Sequence, residues 1–211
     1  MPEAIVDSPF ANNYAEAQEP GGTTSYVQAL LDLLGDRNPL AVVEATPGAL
    51  ERATAGVDEA RLRQPEREGK WSVAEVVAHL ADSELVWGYR LRRVLAEERP
   101  QIIGYDQDLW ADRLRYREAR LVDSLATFAA LRIANLRLVR STGGADMQRV
   151  GVHTERGEES VAHMLKLYAA HDLVHTMQAE SALMQPFIAG LGPWYEYFEH
   201  HDANATAVRP T

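Results

Sequence analysis

The residues best placed to do chemistry are His171 and His175, within the segment SVAHMLKLYAAHDLVHTMQAE. Imidazoles four apart on a helix project from the same face. Here they fall in the apolar stripe Met164, Leu167, Tyr168, His171, His175, Gln178, Ala182. A polar group at a core position is costly unless something satisfies it, and a divalent metal ion would do so, given a third ligand. His79, in AHLAD, is the histidine embedded in another long helix. Its offset from that helix's apolar stripe suits a ligand reaching into the bundle's end or a cleft. Three imidazoles and one open position are the arrangement of a catalytic zinc-type site, where a metal-bound water or thiolate becomes accessible near neutral pH.

The plainer alternative is a set of core histidines satisfied by Glu84 or by one another. Asp172, Glu84 and Asp82 are candidates to orient an imidazole through its second nitrogen. Tyr168, His153 and Trp110 are pocket candidates, although His153 reads first as a loop residue, and Trp110 with Tyr105 as packing beneath a loop. Glu84 and Arg132 read as a buried ion pair between helices. His163, His200 and His201 are expected to face solvent. The spacing HDLVH invites comparison with the zincin motif, but Asp172 stands where a glutamate would and points about 100° from the histidine face at ideal helical spacing.

The elements that must position these groups follow from periodicity and caps. A short helix is expected from Thr23 or Thr24 to Leu34, closed by Gly35. Asn38-Pro39 opens the next, which Thr46-Pro47 kinks or restarts. Ser72 and Glu75 form a capping box before a helix running to about Glu97. A third long helix spans about Ala119 to Thr142, and Ser160 caps a fourth that ends near Leu183, before Pro186. The stretch MQRVGVHTERGE is a loop, extended at most over Gln148 to His153, and no convincing strand pattern is present. These elements predict an all-α four-helix bundle with short extra helices at the termini. Residues 1–22 are expected to form an extended or disordered arm, 23–185 the bundle, and 186–211 a C-terminal extension.

Composition narrows the function. Of 211 residues, 21 are Lys or Arg and 31 Asp or Glu, a formal charge of −10, which disfavours binding to nucleic acid. No stretch approaches the roughly 18 apolar residues of a membrane span, and no signal pattern opens the chain. With no cysteine, any metal must be held by His, Asp, Glu or water. The lack of cysteine is compatible with a cytoplasmic protein; a small-molecule substrate is expected, and a homodimer is expected because bundles of this kind commonly dimerise.

The pieces WSVAEVVAHLADSE, YDQDLWADRLRY and HTERGEESVAHMLKLYAAHDLVHTMQAE, in that order, resemble the DinB/YfiT-like family over roughly Leu40 to Glu180. The resemblance implies a four-helix bundle holding one divalent metal ion, zinc or nickel, on three histidines. Carried onto this chain, these are His79, His171 and His175. It further implies either a thiol-dependent S-transferase using a low-molecular-weight thiol as cosubstrate, or a metal-dependent hydrolase. A non-enzymatic metal- or ligand-binding bundle is the alternative.

Overall fold

A computed structural model describes residues 22–205. The arm expected over 1–22 lies, but for Gly22, outside these residues, as does the end of the expected C-terminal tail. The first helix, α1 (Gly22–Leu34), ends at Gly35, whose φ of +53° lies in the left-handed region that glycine tolerates. Helix α2 (Pro39–Thr54) opens with Asn38 accepting from the Ala41 N–H and with proline at its first position. It continues unbroken through Pro47. A short helix α3 (Glu59–Leu62) lies in the expected loop. The capping box forms as expected at the start of α4 (Val73–Ala96), where Ser72 and Glu75 bond reciprocally. After α5 (Gln107–Arg113) and a 3-10 turn come α6 (Leu121–Ser141) and α7 (Val161–Ala189), the latter capped by Ser160.

Helices α2, α4, α6 and α7 form the bundle. Helix α4 packs on α6 and α7, α2 packs on α7 and α6, and α1 lies against α7. The core is in two parts. One holds Leu34, Val43, Trp87, Leu91, Val94, Leu136, Val139 and Met164; the other holds Leu50, Trp71, Val73, Val76, Leu80, Leu121, Phe128 and Ala182. Between them every bundle helix contributes buried polar groups at one level: Thr46 from α2, His79, Ser83 and Glu84 from α4, Arg132 and Asn135 from α6, Asp172, His175 and Gln178 from α7. The order in which each helix meets the two cores gives its direction. Helices α2 and α7 run one way, α4 and α6 the other.

Three expectations are corrected. No strand was expected, yet β1 (Gln101–Ile102), between α4 and α5, pairs parallel with β2 (Val150–His153), which falls in the stretch allowed to be extended, and β2 pairs antiparallel with β3 (Gly157–Ser160). His153 is therefore a strand residue, and a buried one. The buried positions of β2 are Gly151 and His153 rather than its valines, so no apolar alternation announced the strand. Finally, α7 runs through Pro186 to Ala189. The carbonyls around that break have other donors: the Gln185 amide donates to the Ser181 carbonyl at 3.0 Å and the Arg61 guanidinium to that of Leu183 at 2.6 Å. Beyond α7, WYEYFEHH forms two 3-10 turns, Gly192–Tyr197 and Glu199–His201.

Candidate metal centre

His79 from α4 and His171 and His175 from α7 meet in the polar layer. One nitrogen of each lies within 4.8 Å of the others. The Nε2 atoms of His79 and His171 are 3.1 Å apart, near the ~3.3 Å that separates two nitrogens held at about 2.0 Å by one tetrahedral ion. The rings of His79 and His175 are 4.5 Å apart by centroid, and those of His171 and His175 4.3 Å. His79 is wholly buried, so it reaches the dry centre of the bundle and not an open cleft; His171 is the half-buried member.

Two aromatic rings flank the cluster. Trp71, from just before α4, stacks at 6.3 Å on His175 and lies 4.9 Å from His79. Tyr168, one turn before His171, lies nearly parallel to it at 5.8 Å. Hydroxyls continue the chain of contacts: Ser83 Oγ is 3.2 Å from His79 Nε2 and 3.0 Å from the Tyr105 oxygen. Trp110 packs at 4.5 Å against Tyr105.

Burial sets the charge state. It depresses all three imidazoles below the usual histidine range, His175 to about 4, while the neighbouring imidazoles push His79 and His171 further in the same direction. Neutral imidazoles are what a cation requires. His175 Nδ1 donates to Gln178 Oε1 at 2.9 Å, which leaves the Nε2 lone pair for a ligand. The Nδ1 atoms of His79 and His171 are buried without a partner among the described residues. The donor set therefore fits a divalent ion of the kind imidazole prefers.

The carboxylates expected to orient these rings have other partners. Asp172 is fully buried and accepts from Arg132 Nη1 at 2.6 Å and Nη2 at 3.1 Å. Glu84 accepts from Arg132 Nε at 2.8 Å, from Asn135 at 2.8 Å and from the Tyr168 hydroxyl at 3.0 Å. Asp82 accepts from Tyr116 at 2.6 Å. Burial works against the charge on Arg132, but Asp172 and Glu84 more than offset it and hold the guanidinium firmly protonated. Burial pushes both carboxyls up, against the pull of Arg132. Glu84 thus bears on the cluster at one remove, by fixing the phenol that covers His171.

Sequence reasoning did not single out Trp71, Ser83 or Gln178 as site residues. Ser83 stands four after His79, and Gln178 three after His175, spacings that place each on its histidine's face. A groove of about 380 Å³, lined by residues that include Glu66, Arg67 and Gln185, shares none with the cluster.

The chain is similar to known proteins over most of its length. The sequence profile of the DinB superfamily matches residues 43–179. A Bacillus mycoides protein named "Putative metal-dependent hydrolase" is 30% identical over 162 residues, 77% of this chain and 92% of its own. A Geobacillus thermodenitrificans protein of the same name is 32% identical over 67% of this chain and 80% of its own. Among solved structures, YfiT from Bacillus subtilis, described as "a probable metal-dependent hydrolase with an unusual four-helix bundle topology", superposes with a TM-score of 0.66. It is 28% identical, over 71% of this chain and 85% of that one.

Proposed function

Because the chain belongs to the DinB superfamily, we propose that it is a metal-dependent enzyme that delivers a small nucleophile to a small-molecule substrate at the three-histidine centre. The observation that carries this reading is the convergence of three imidazole nitrogens within 4.8 Å, all on rings kept neutral by burial. His79, His171 and His175 would hold the ion, zinc or nickel. When bound, such an ion supplies Lewis acidity and lowers the pKa of a water or thiol it carries. Trp71 and Tyr168 wall the imidazoles on two sides. The paired hydroxyls of Ser83 and Tyr105 can hold or pass a proton beside His79.

Hydrolysis is the version supported by the names of the relatives. Transfer of a low-molecular-weight thiol is a second reading, favoured by one arrangement in the site. Glu84, Asp172 and Asp82 are all held by partners other than the imidazoles, which leaves no carboxylate among them as a general base for water. A thiol, whose pKa a bound ion would lower, would need none.

The test begins with elemental analysis of protein purified without an affinity tag. One divalent ion per chain is expected, with His79→Ala and His171→Ala each losing it; unchanged content in both variants would discard the site. Metal-dependent turnover of esters or amides without thiol supports hydrolysis, and conjugation of a model electrophile only when thiol is present supports transfer. Bound metal with neither activity places the protein among non-catalytic metal binders.

A further inference from the structure

The small sheet brings one more group beside the histidines. His153, at the end of β2, is 2% exposed. Its Nδ1 accepts from the Glu155 backbone N–H at 3.2 Å. Burial, then the charge of Arg156, holds the ring neutral, with a pKa of about 4. A neutral ring whose Nδ1 accepts must carry its proton on Nε2. That Nε2 is buried with no partner among the described residues. A buried donor left unmatched is costly, so this one awaits an acceptor.

Two guanidiniums stand close by. Arg90 of α4 donates to the Ile103 carbonyl at 2.6 Å and lies 5.9 Å from the Tyr105 ring centre. Arg156, in the β2–β3 turn, pairs with buried Glu159. Arg90 meets the end of β1 at Ile103, next to the residue paired with His153, and Arg156 stands three residues after His153 in the hairpin turn; both also act electrostatically on His153 and His171. They also oppose each other, for after burial Arg156 is the largest influence depressing Arg90. Glu155 and Glu159 bear on the same groups, Glu159 through its pair with Arg156 and Glu155 from the exposed turn beside Gly104. Tyr105 joins this wall to the centre through Ser83.

We propose that the Nε2–H of His153, with Arg90 and Arg156, forms a carboxylate-binding subsite beside the three histidines, so that the protein's substrate is a small carboxylic acid. The carboxylate docks on the hairpin wall while the reacting centre faces the imidazoles. The first part stands on the residues just named; the second rests on the metal-dependent reading above. Arginine guanidinium and a fixed neutral N–H are both suited to a planar carboxylate.

The test is a titration of the protein as purified with propionate, succinate and benzoate and with their amides, followed by tryptophan fluorescence, with metal content measured on the same samples. The acids are expected to bind at least tenfold more tightly than the amides. Arg90→Gln and His153→Phe should each lose at least tenfold for the acids without losing metal. His153→Gln, which keeps an N–H donor, should retain most of the affinity and guards against a folding defect in the Phe variant. The proposal is overturned if acids and amides bind alike, or if Arg90→Gln and His153→Phe, with unaltered melting, bind acids as the parent does. Acid selectivity that depends on His153 in a protein without metal would keep the subsite and remove the three-histidine reading. Full metal with no acid selectivity would do the reverse.

Discussion

At the scale of single residues, Arg132 shows what the polar layer demands. It is 1% exposed and holds two fully buried carboxylates, those of Glu84 and Asp172, in place. Arg132→Met would leave both acids buried without a cation, a loss expected at about 3–5 kcal/mol by chemical denaturation at neutral pH. His153 makes a pH-dependent prediction. Its folded pKa is about 4, against about 6.5 in an unfolded chain. Below about pH 6.5 the unfolded state takes up a proton that the folded state refuses, so this residue's contribution falls as pH drops toward 4, by ~1.4 kcal/mol per pH unit. Denaturation of the parent and His153→Gln between pH 4 and 7.5 should show the variant's stability falling less steeply by that amount. His171 and His175 were legible as a pair because a four-residue step fixes a shared helical face whatever the surroundings, whereas His79 was legible only as the histidine embedded in another long helix and through the family resemblance. The partners of Asp172 and Asp82 were not. Which side chain meets an acid across a bundle depends on the rotation of neighbouring helices, and no spacing within one helix records that.

Among the elements, two prolines show how far a local rule carries. Pro47 lacks the N–H that would bond the Val43 carbonyl four residues back, and that carbonyl instead accepts from Arg132 Nη1. The interruption in α2 is thus a docking point for α6, and the helix needs no restart. At Pro186 the carbonyls on either side of the one it frees, those of Ser181 and Leu183, accept from Gln185 and from Arg61 in α3. Those donors lie 4 and 122 positions from the carbonyls they meet, so the expected stop at Leu183 was sound locally and failed in context. The sheet depends on another close fit. A Cβ on Gly151 would stand 2.5 Å from Ile102 Cδ1 and 2.8 Å from Val94 Cγ2. Gly151→Ala should therefore cost about 1–3 kcal/mol in a thermal or urea unfolding series, and it should weaken acid binding if the hairpin shifts with it. The capped ends of α4 and α7, by contrast, were readable to the residue, because Ser72 and Ser160 bond groups three positions along their own helices.

For the whole molecule, the four-helix bundle was evident from amphipathic periodicity, and the relatives agree with it. The divided core was hidden, since it exists only once four helices are placed side by side. A metal ion bound in the layer between its halves would stabilise the folded state alone. Chelation should lower the melting temperature, by the equivalent of about 2.7 kcal/mol where free metal had stood a hundredfold above its Kd, and the shift should vanish in His79→Ala. The polar layer has a wider consequence. Sliding any one helix by a turn, about 5.4 Å, would press a charge of Glu84, Arg132 or Asp172 against leucine or valine and strand its partners. The layer acts as a vernier: it admits one axial setting of the four helices, so that the histidines' alignment is inherited from side chains that never touch a metal.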